Sequence, residues 1–177
     1  MAETIIVEVR KCLACRSCEV ACALVHSRSK VLSEAVSESP KPQRMLTVEA
    51  SGQFAVPMQC RHCEDAPCIK VCPTSALYRH GPNAPVLICR EKCIGCKYCL
   101  LTCPFGVIDI TRDGRAVAKC DLCLERTKVG EEPACVAACP TGAMQFVELT
   151  EALAERRRMA ARQAGATAAE KSVVYGE

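Results

Sequence analysis

Cysteine spacing constrains this chain more than any other feature. Sixteen of its 17 cysteines fall into four groups of four: Cys12, Cys15, Cys18 and Cys22; Cys60, Cys63, Cys68 and Cys72; Cys93, Cys96, Cys99 and Cys103; Cys120, Cys123, Cys135 and Cys139. Each group opens with two cysteines three residues apart, an interval that suits a shared metal centre better than disulfides to distant partners. Three groups end in Cys-Pro, at Cys72-Pro73, Cys103-Pro104 and Cys139-Pro140, whereas the first ends in Cys22-Ala23. Cys89 stands apart and is expected to be a buried apolar residue on a strand, not a ligand.

The rest of the composition asks for such centres. The 177 residues include no Trp, three Phe and three Tyr, so large core side chains are scarce. A chain of this size then needs something else to staple it from inside, and metal binding can supply folding energy. The apo-protein is therefore expected not to fold. A secreted disulfide framework is disfavoured, because the start, MAETIIVEVRKC, shows no basic region followed by a long apolar run. With no visible export signal and a need for reduced thiols, the expected location is cytoplasmic. No run of 18 apolar residues exists to span a membrane. Basic residues are mixed with acids and aromatics are few, which argues against nucleic acid as a partner.

The surroundings of the cysteines repeat. Strand-like runs precede the groups (TIIVEV, QFAVPM, PVLI and RAVAK), and others follow the last three (TSALYR, FGVIDI and TGAMQF). The unit reads as strand, cysteine loop, helical turn closed by proline, strand. After the first group the chain is expected to run on as a helix through ALVHSRSKVLSEAV. The connector SESPKPQR and a strand over MLTVEA follow. TEALAERRRMAARQAG reads as a C-terminal helix, with Thr150 as N-cap and Gly165 as stop.

The third group, C-I-G-C-K-Y-C-L-L-T-C-P, has the C-x2-C-x2-C-x3-C-P spacing of bacterial ferredoxins. Three cysteines at intervals of three wrap a loop around one face of a [4Fe–4S] cube, and small Gly95 lets the backbone approach. The fourth points away and reaches a neighbouring cube. Structural zinc uses the same thiolate set but needs only paired C-x2-C knuckles, so iron–sulfur is the stronger reading. Four cubes held by sixteen thiolates carry roughly −2 each, roughly −8 in all, against a formal chain charge of +3. The scattered Lys and Arg then read as compensation. Spacing alone does not decide which groups exchange their fourth cysteine: first with second and third with fourth would satisfy the sulfurs equally well.

QCRHCEDAPCIKVCPTSAL (59–77) and KCDLCLERTKVGEEPACVAACPTGAM (119–144) resemble the signature segments of the four-cluster polyferredoxin subunits of molybdenum and tungsten oxidoreductases, formate dehydrogenases, hydrogenase complexes and carbon monoxide dehydrogenases. The resemblance runs from residue 5 to about residue 147. KCLACRSCEVACALVHSRSK looks most like the members serving tungsten aldehyde oxidoreductases or carbon monoxide dehydrogenases. The resemblance implies an α+β fold of two nested ferredoxin-like modules. The outer spans 1–58 and 107–148, the inner 59–106, and a helix and tail fill 149–177. It also implies four [4Fe–4S] clusters. One is held by Cys12, Cys15, Cys18 and Cys139, and one by Cys120, Cys123, Cys135 and Cys22. In the inner module one takes Cys60, Cys63, Cys68 and Cys103, the other Cys93, Cys96, Cys99 and Cys72.

No nucleophile–base pair, phosphate loop or dinucleotide fingerprint is visible. Clusters bound by four cysteines each leave no open iron for a substrate. The expectation is a non-catalytic electron-transfer subunit, relaying electrons between a larger catalytic oxidoreductase subunit and a second redox partner of flavoprotein or ferredoxin type. A free-standing polyferredoxin shuttle and a subunit of a formate dehydrogenase or hydrogenase complex are the alternatives, and a wire exposed at both ends can also stack end to end. His62 is expected beside a cluster or at the surface rather than as a ligand. His26 and His80 read as ordinary surface histidines, Arg156–Arg158 as a solvated or docking face, and the eleven residues 124–134 as a surface excursion.

Overall fold

The computed structural model describes the backbone of residues 3–175 and the side chains as far as residue 167. Its strands are β1 (Glu3–Val7), β2 (Leu46–Ser51), β3 (Phe54–Gln59), β4 (Leu77–Tyr78), β5 (Leu87–Ile88), β6 (Asp109–Ile110), β7 (Val117–Ala118) and β8 (Met144–Glu148). Its helices are α1 (Ser17–Val25), α2 (Leu32–Ala35), α3 (Pro67–Lys70), α4 (Tyr98–Thr102), α5 (Leu124–Thr127), α6 (Ala134–Ala137) and α7 (Leu149–Tyr175). Every pairing is antiparallel, in two-stranded sheets, so helices and strands mix as in an α+β fold. Three are hairpins: β2–β3, β4–β5 and β6–β7. The fourth joins the far ends of the cysteine-bearing region, with Glu3 opposite Glu148 and Val7 opposite Met144.

The strand runs read from the sequence all appear, and the cysteine loops lie between them. What the sheets bury is small. One core gathers Ile5, Leu46, Val48, Leu122, Val136 and Met144 around Cys18, Cys22 and Cys135. A second gathers Ala66, Leu77, Val86, Ile108 and Val117 around Cys68 and Cys99. Residues of the first core come from 5–48 and 122–144, and residues of the second from 66–117. Ile108 and Val117, in the stretch expected to open the second half of the outer module, thus pack in the second core. No aromatic side chain is among the buried residues described, while seven cysteines are. Sulfur occupies the place that Phe and Trp hold in other cores.

Two expected helices end differently. The helix after Cys22 stops at Val25 rather than running to residue 36, and only the single turn of α2 follows. Side chains there take over the backbone groups that a helix would use. Ser27 donates its hydroxyl to the Leu24 carbonyl and accepts the Lys30 N–H. Glu38 accepts from the Arg28 and Ser29 amides, and Lys30 turns left-handed at φ 56°. At the other end, α7 begins at Leu149, places Thr150 inside the helix and passes through Gly165 to Tyr175. Gly165 does not adopt a positive φ, and the Ala-rich run after it favours continued helix. Cys89 also departs from expectation. It follows β5, is only partly buried, and its thiol donates to Glu91 Oε2 at 3.1 Å.

Candidate iron–sulfur sites

All four C-x-x-C loops bend the same way. The residue before the second cysteine is left-handed in each: Ala14 (φ 57°), His62 (48°), Gly95 (69°) and Leu122 (62°). This turns the backbone N–H groups inward. His62 and Leu122 donate theirs to the sulfurs of Cys60 and Cys120, each at 3.4 Å. Only Gly95 lacks room for a side chain, since a Cβ there would meet the Arg115 carbonyl oxygen at 2.5 Å. The Cys-Pro ends share a second turn. Ser75, Gly106 and Gly142 are left-handed and donate their N–H groups to the carbonyls of Cys72, Cys103 and Cys139 at 3.2–3.3 Å. Cys22, lacking proline, lies inside α1.

These turns bring each fourth cysteine into another group. Cys139 lines a hollow with Cys12, Cys15 and Cys18, walled by Leu13, Val48, Pro57 and Met144. Cys72 lines a matching hollow with Cys93, Cys96 and Cys99, walled by Leu77, Ile88 and Val117. Cys22 lies close enough to Cys120, Cys123 and Cys135 to add, after burial, to the rise of all three thiols. Cys103 does the same to Cys60 and Cys68, again after burial, and Cys63 adds to the rise at Cys60. Burial also pushes the Cys18 and Cys99 thiols up to about 11. In these converging sets burial and neighbouring sulfurs oppose ionisation at the inner thiols, and deprotonation becomes favourable once a cationic metal takes up the thiolates. The donor set fits thiolate-bound iron–sulfur cubes.

The environments differ along the molecule. Cys15 and Cys96 are exposed, as are their neighbours Leu13 and Ile94, whereas Cys22, Cys120, Cys123 and Cys135 are all buried. Proximity orders the groups. Cys18 adds to the rise of Cys135, and Cys68 to that of Cys99, after burial in both. Burial opposes ionisation of Cys72 and Cys139, yet both thiols end below the ordinary range, held by backbone N–H groups and by the hydroxyls of Thr74 and Thr141. Their sulfurs stand 3.8 and 3.7 Å from those hydroxyls.

Several partners are not legible as site residues in the sequence. His26 is no ordinary surface residue: its Nδ1 lies 2.7 Å from the Cys22 carbonyl and its Nε2 3.2 Å from Asp121. Burial works against its charge, but Asp121 and Cys22 prevail and raise its pKa to about 11. Glu19 is buried on α1, accepts the Val48 N–H at 2.7 Å, and pairs with Arg16 and Arg44. His62 accepts the Val86 N–H on Nδ1 at 3.0 Å. Burial first, and then the charge of Lys119, drives its pKa down to about 3. His80 sits edge-on to Tyr78. The i,i+3 spacing of Arg16 and Glu19 is the one local signal for a Glu19 pair.

Residues 52–149 match the 4Fe-4S dicluster domain. The chain belongs to this iron–sulfur family. Similarity extends beyond the matched region. An iron–sulfur protein of Rhodospirillum rubrum is 42% identical over 91% of this chain and 87% of its own length. The thiosulfate reductase electron transfer subunit PhsB of Salmonella typhi is 36% identical over 83% of this chain and 76% of its own. The electron transport protein HydN of Escherichia coli strain K12 is 36% identical over 91% and 98%. The family match itself takes in the last three cysteine groups. No described helix is long and apolar enough to cross a membrane.

Proposed function

We propose that this chain is a non-catalytic electron-transfer subunit with four [4Fe–4S] clusters in two nested modules. The convergence of sixteen thiols into four groups, each completed by a cysteine from another motif, carries this reading. The ligand sets are Cys12, Cys15, Cys18 with Cys139; Cys120, Cys123, Cys135 with Cys22; Cys60, Cys63, Cys68 with Cys103; and Cys93, Cys96, Cys99 with Cys72. Such clusters supply one-electron chemistry and no open iron site. The protein holds them in fixed order and tunes them by burial and by N–H and O–H groups aimed at sulfur. The hairpin bearing Ile108 and Val117 belongs with the inner module, because its apolar residues pack there.

The order runs from the Cys93 group through the Cys60 and Cys120 groups to the Cys12 group. Cys68 beside Cys99 and Cys18 beside Cys135 support the two outer steps. The exposed Cys96 and Cys15 make the two ends the ports. One port faces a larger catalytic oxidoreductase subunit, the other a second redox partner of flavoprotein or ferredoxin type. The names of the relatives support an electron-transfer role in a reductase setting, and the first motif supports a tungsten aldehyde oxidoreductase or carbon monoxide dehydrogenase as the catalytic subunit. The proposed location is the cytoplasm.

The deciding experiment is metal analysis of anaerobically purified protein. About sixteen irons and as many acid-labile sulfides per chain are expected. Substantial zinc without sulfide overturns the reading. Size-exclusion of the native material separates a bound subunit from a free shuttle, which elutes near its own mass.

A further inference from the structure

Lys119 is 2% exposed, the largest fully buried side chain described. Its Nζ donates to the carbonyl oxygen of Cys120 at 2.6 Å and, across the molecule, to that of Val86. Cys120 belongs to the outer module and Val86 to the core of the inner one. None of the described carboxylates lies within ion-pair distance of it. A buried ammonium without a carboxylate is costly unless another anion compensates it. The groups around it identify that anion. Val86, which accepts from Lys119, donates its own N–H to His62 Nδ1 inside the Cys60–Cys63 loop and packs in one core with Cys68, so the ammonium stands between the Cys60 set and the Cys120 loop.

We propose that Lys119 is a shared counter-ion between the two central clusters, the one on Cys60, Cys63, Cys68 and Cys103 and the one on Cys22, Cys120, Cys123 and Cys135, and that it makes both easier to reduce than they would otherwise be. An electron arriving on either adds negative charge to a thiolate-bound anion. A fixed positive charge in a dry interior stabilises that added charge far more than a surface lysine does. The two terminal hollows, completed by Cys72 and Cys139, have Lys97 and Arg16 in their linings, but both are exposed to solvent, and the partly buried polar partners of the sulfurs there are threonine hydroxyls. Lys119 thereby lowers the middle of the wire for an electron and ties the two modules through its carbonyl contacts. This inference rests on the four-cluster reading.

The test is an EPR-monitored redox titration of holo-protein carrying Lys119→Met, Lys119→Gln or Lys119→Arg. Iron and sulfide content of the unsubstituted protein tests the four-cluster reading separately. In K119M and K119Q the reduction equilibrium of two clusters should shift at least about tenfold toward the oxidised form, ~59 mV for a one-electron couple. The other two should stay in place, and K119R should keep all four near their original potentials. No shift, an equal shift of all four, or a K119R shift as large as that of K119M overturns the proposal. If K119M loads incompletely, K119Q decides, since it keeps a donor without the charge. Loss of the two central clusters in K119Q but not in K119R supports the proposal. Loss in all three variants overturns it in favour of packing.

Discussion

Asp121 holds His26 from ninety-five positions away, its carboxylate 3.2 Å from Nε2 while Nδ1 is tied to the Cys22 carbonyl. The pair closes the seam between the first and fourth motifs and orients the end of α1 that carries Cys22. Asp121→Asn keeps the shape and removes the charge. A charge-assisted bond that is partly exposed on the Asp121 side should be worth about 1–2 kcal/mol. Thermal unfolding of anaerobic holo-protein should show the loss as a Tm lower by a few degrees (~2–8 °C). An unchanged Tm would show that the pair only decorates the seam.

Cys22→Ser and Cys139→Ser test the exchange of fourth ligands. The first should remove, degrade to three irons or shift the cluster on Cys120, Cys123 and Cys135, leaving the one on Cys12, Cys15 and Cys18 whole. The second should do the converse. EPR of the reduced variants reads which signal changes. A Cys22→Ser variant that disturbs the Cys12 cluster instead contradicts the assignment.

Gly95→Ala should be far worse than its counterpart Ala14→Gly. Both positions are left-handed, but only at Gly95 does the new Cβ meet a carbonyl oxygen, at 2.5 Å. The cost at Gly95 should be about 1–3 kcal/mol, and Ala14→Gly should be near neutral. The cluster of the Cys93 group should be the first lost on mild warming, followed by its visible absorbance. Equal stability of the two variants would mean that the Arg115 segment yields.

Removing residues 150–177 takes away no proposed ligand, so iron content should be unchanged. α7 presents exposed Leu149, Leu153 and Met159 along with the Arg156–Arg158 run. If it docks, the truncated chain should leave its complex or lose self-association on size-exclusion. An unaltered complex mass returns α7 to a solvated role.

Much of this architecture can be read from spacing. A C-x-x-C loop bends at its third position whatever residue stands there, which is why Ala14, His62, Gly95 and Leu122 share one conformation. The strands flanking each loop follow from short β-branched runs. What could not be read are contacts between distant residues. Glu19 finds Val48, His26 finds Asp121 and Lys119 finds Val86, and none of these pairs leaves a local pattern. The helix break after Val25 was hidden for a related reason. It depends on Glu38 returning to accept the Arg28 and Ser29 amides. Gly165 misled in the opposite sense, because a glycine flanked by helix formers and touching nothing has no cause to end a helix.

The pairing of β1 with β8 bears on how the molecule is made. Val7 and Met144 face each other, so the first strand has no partner until 137 further residues have been synthesised. At about 5–20 residues per second that is a wait of roughly 7–27 s on the ribosome. The hairpins between residues 46 and 118 have no such wait, since each strand's partner follows it closely. The central part of the chain can therefore take shape first, with the N-terminal thiols emerged but not enclosed. During that interval Cys12, Cys15 and Cys18 lack the wall that Cys139 and Met144 give their hollow, and stand open to oxygen and stray metals.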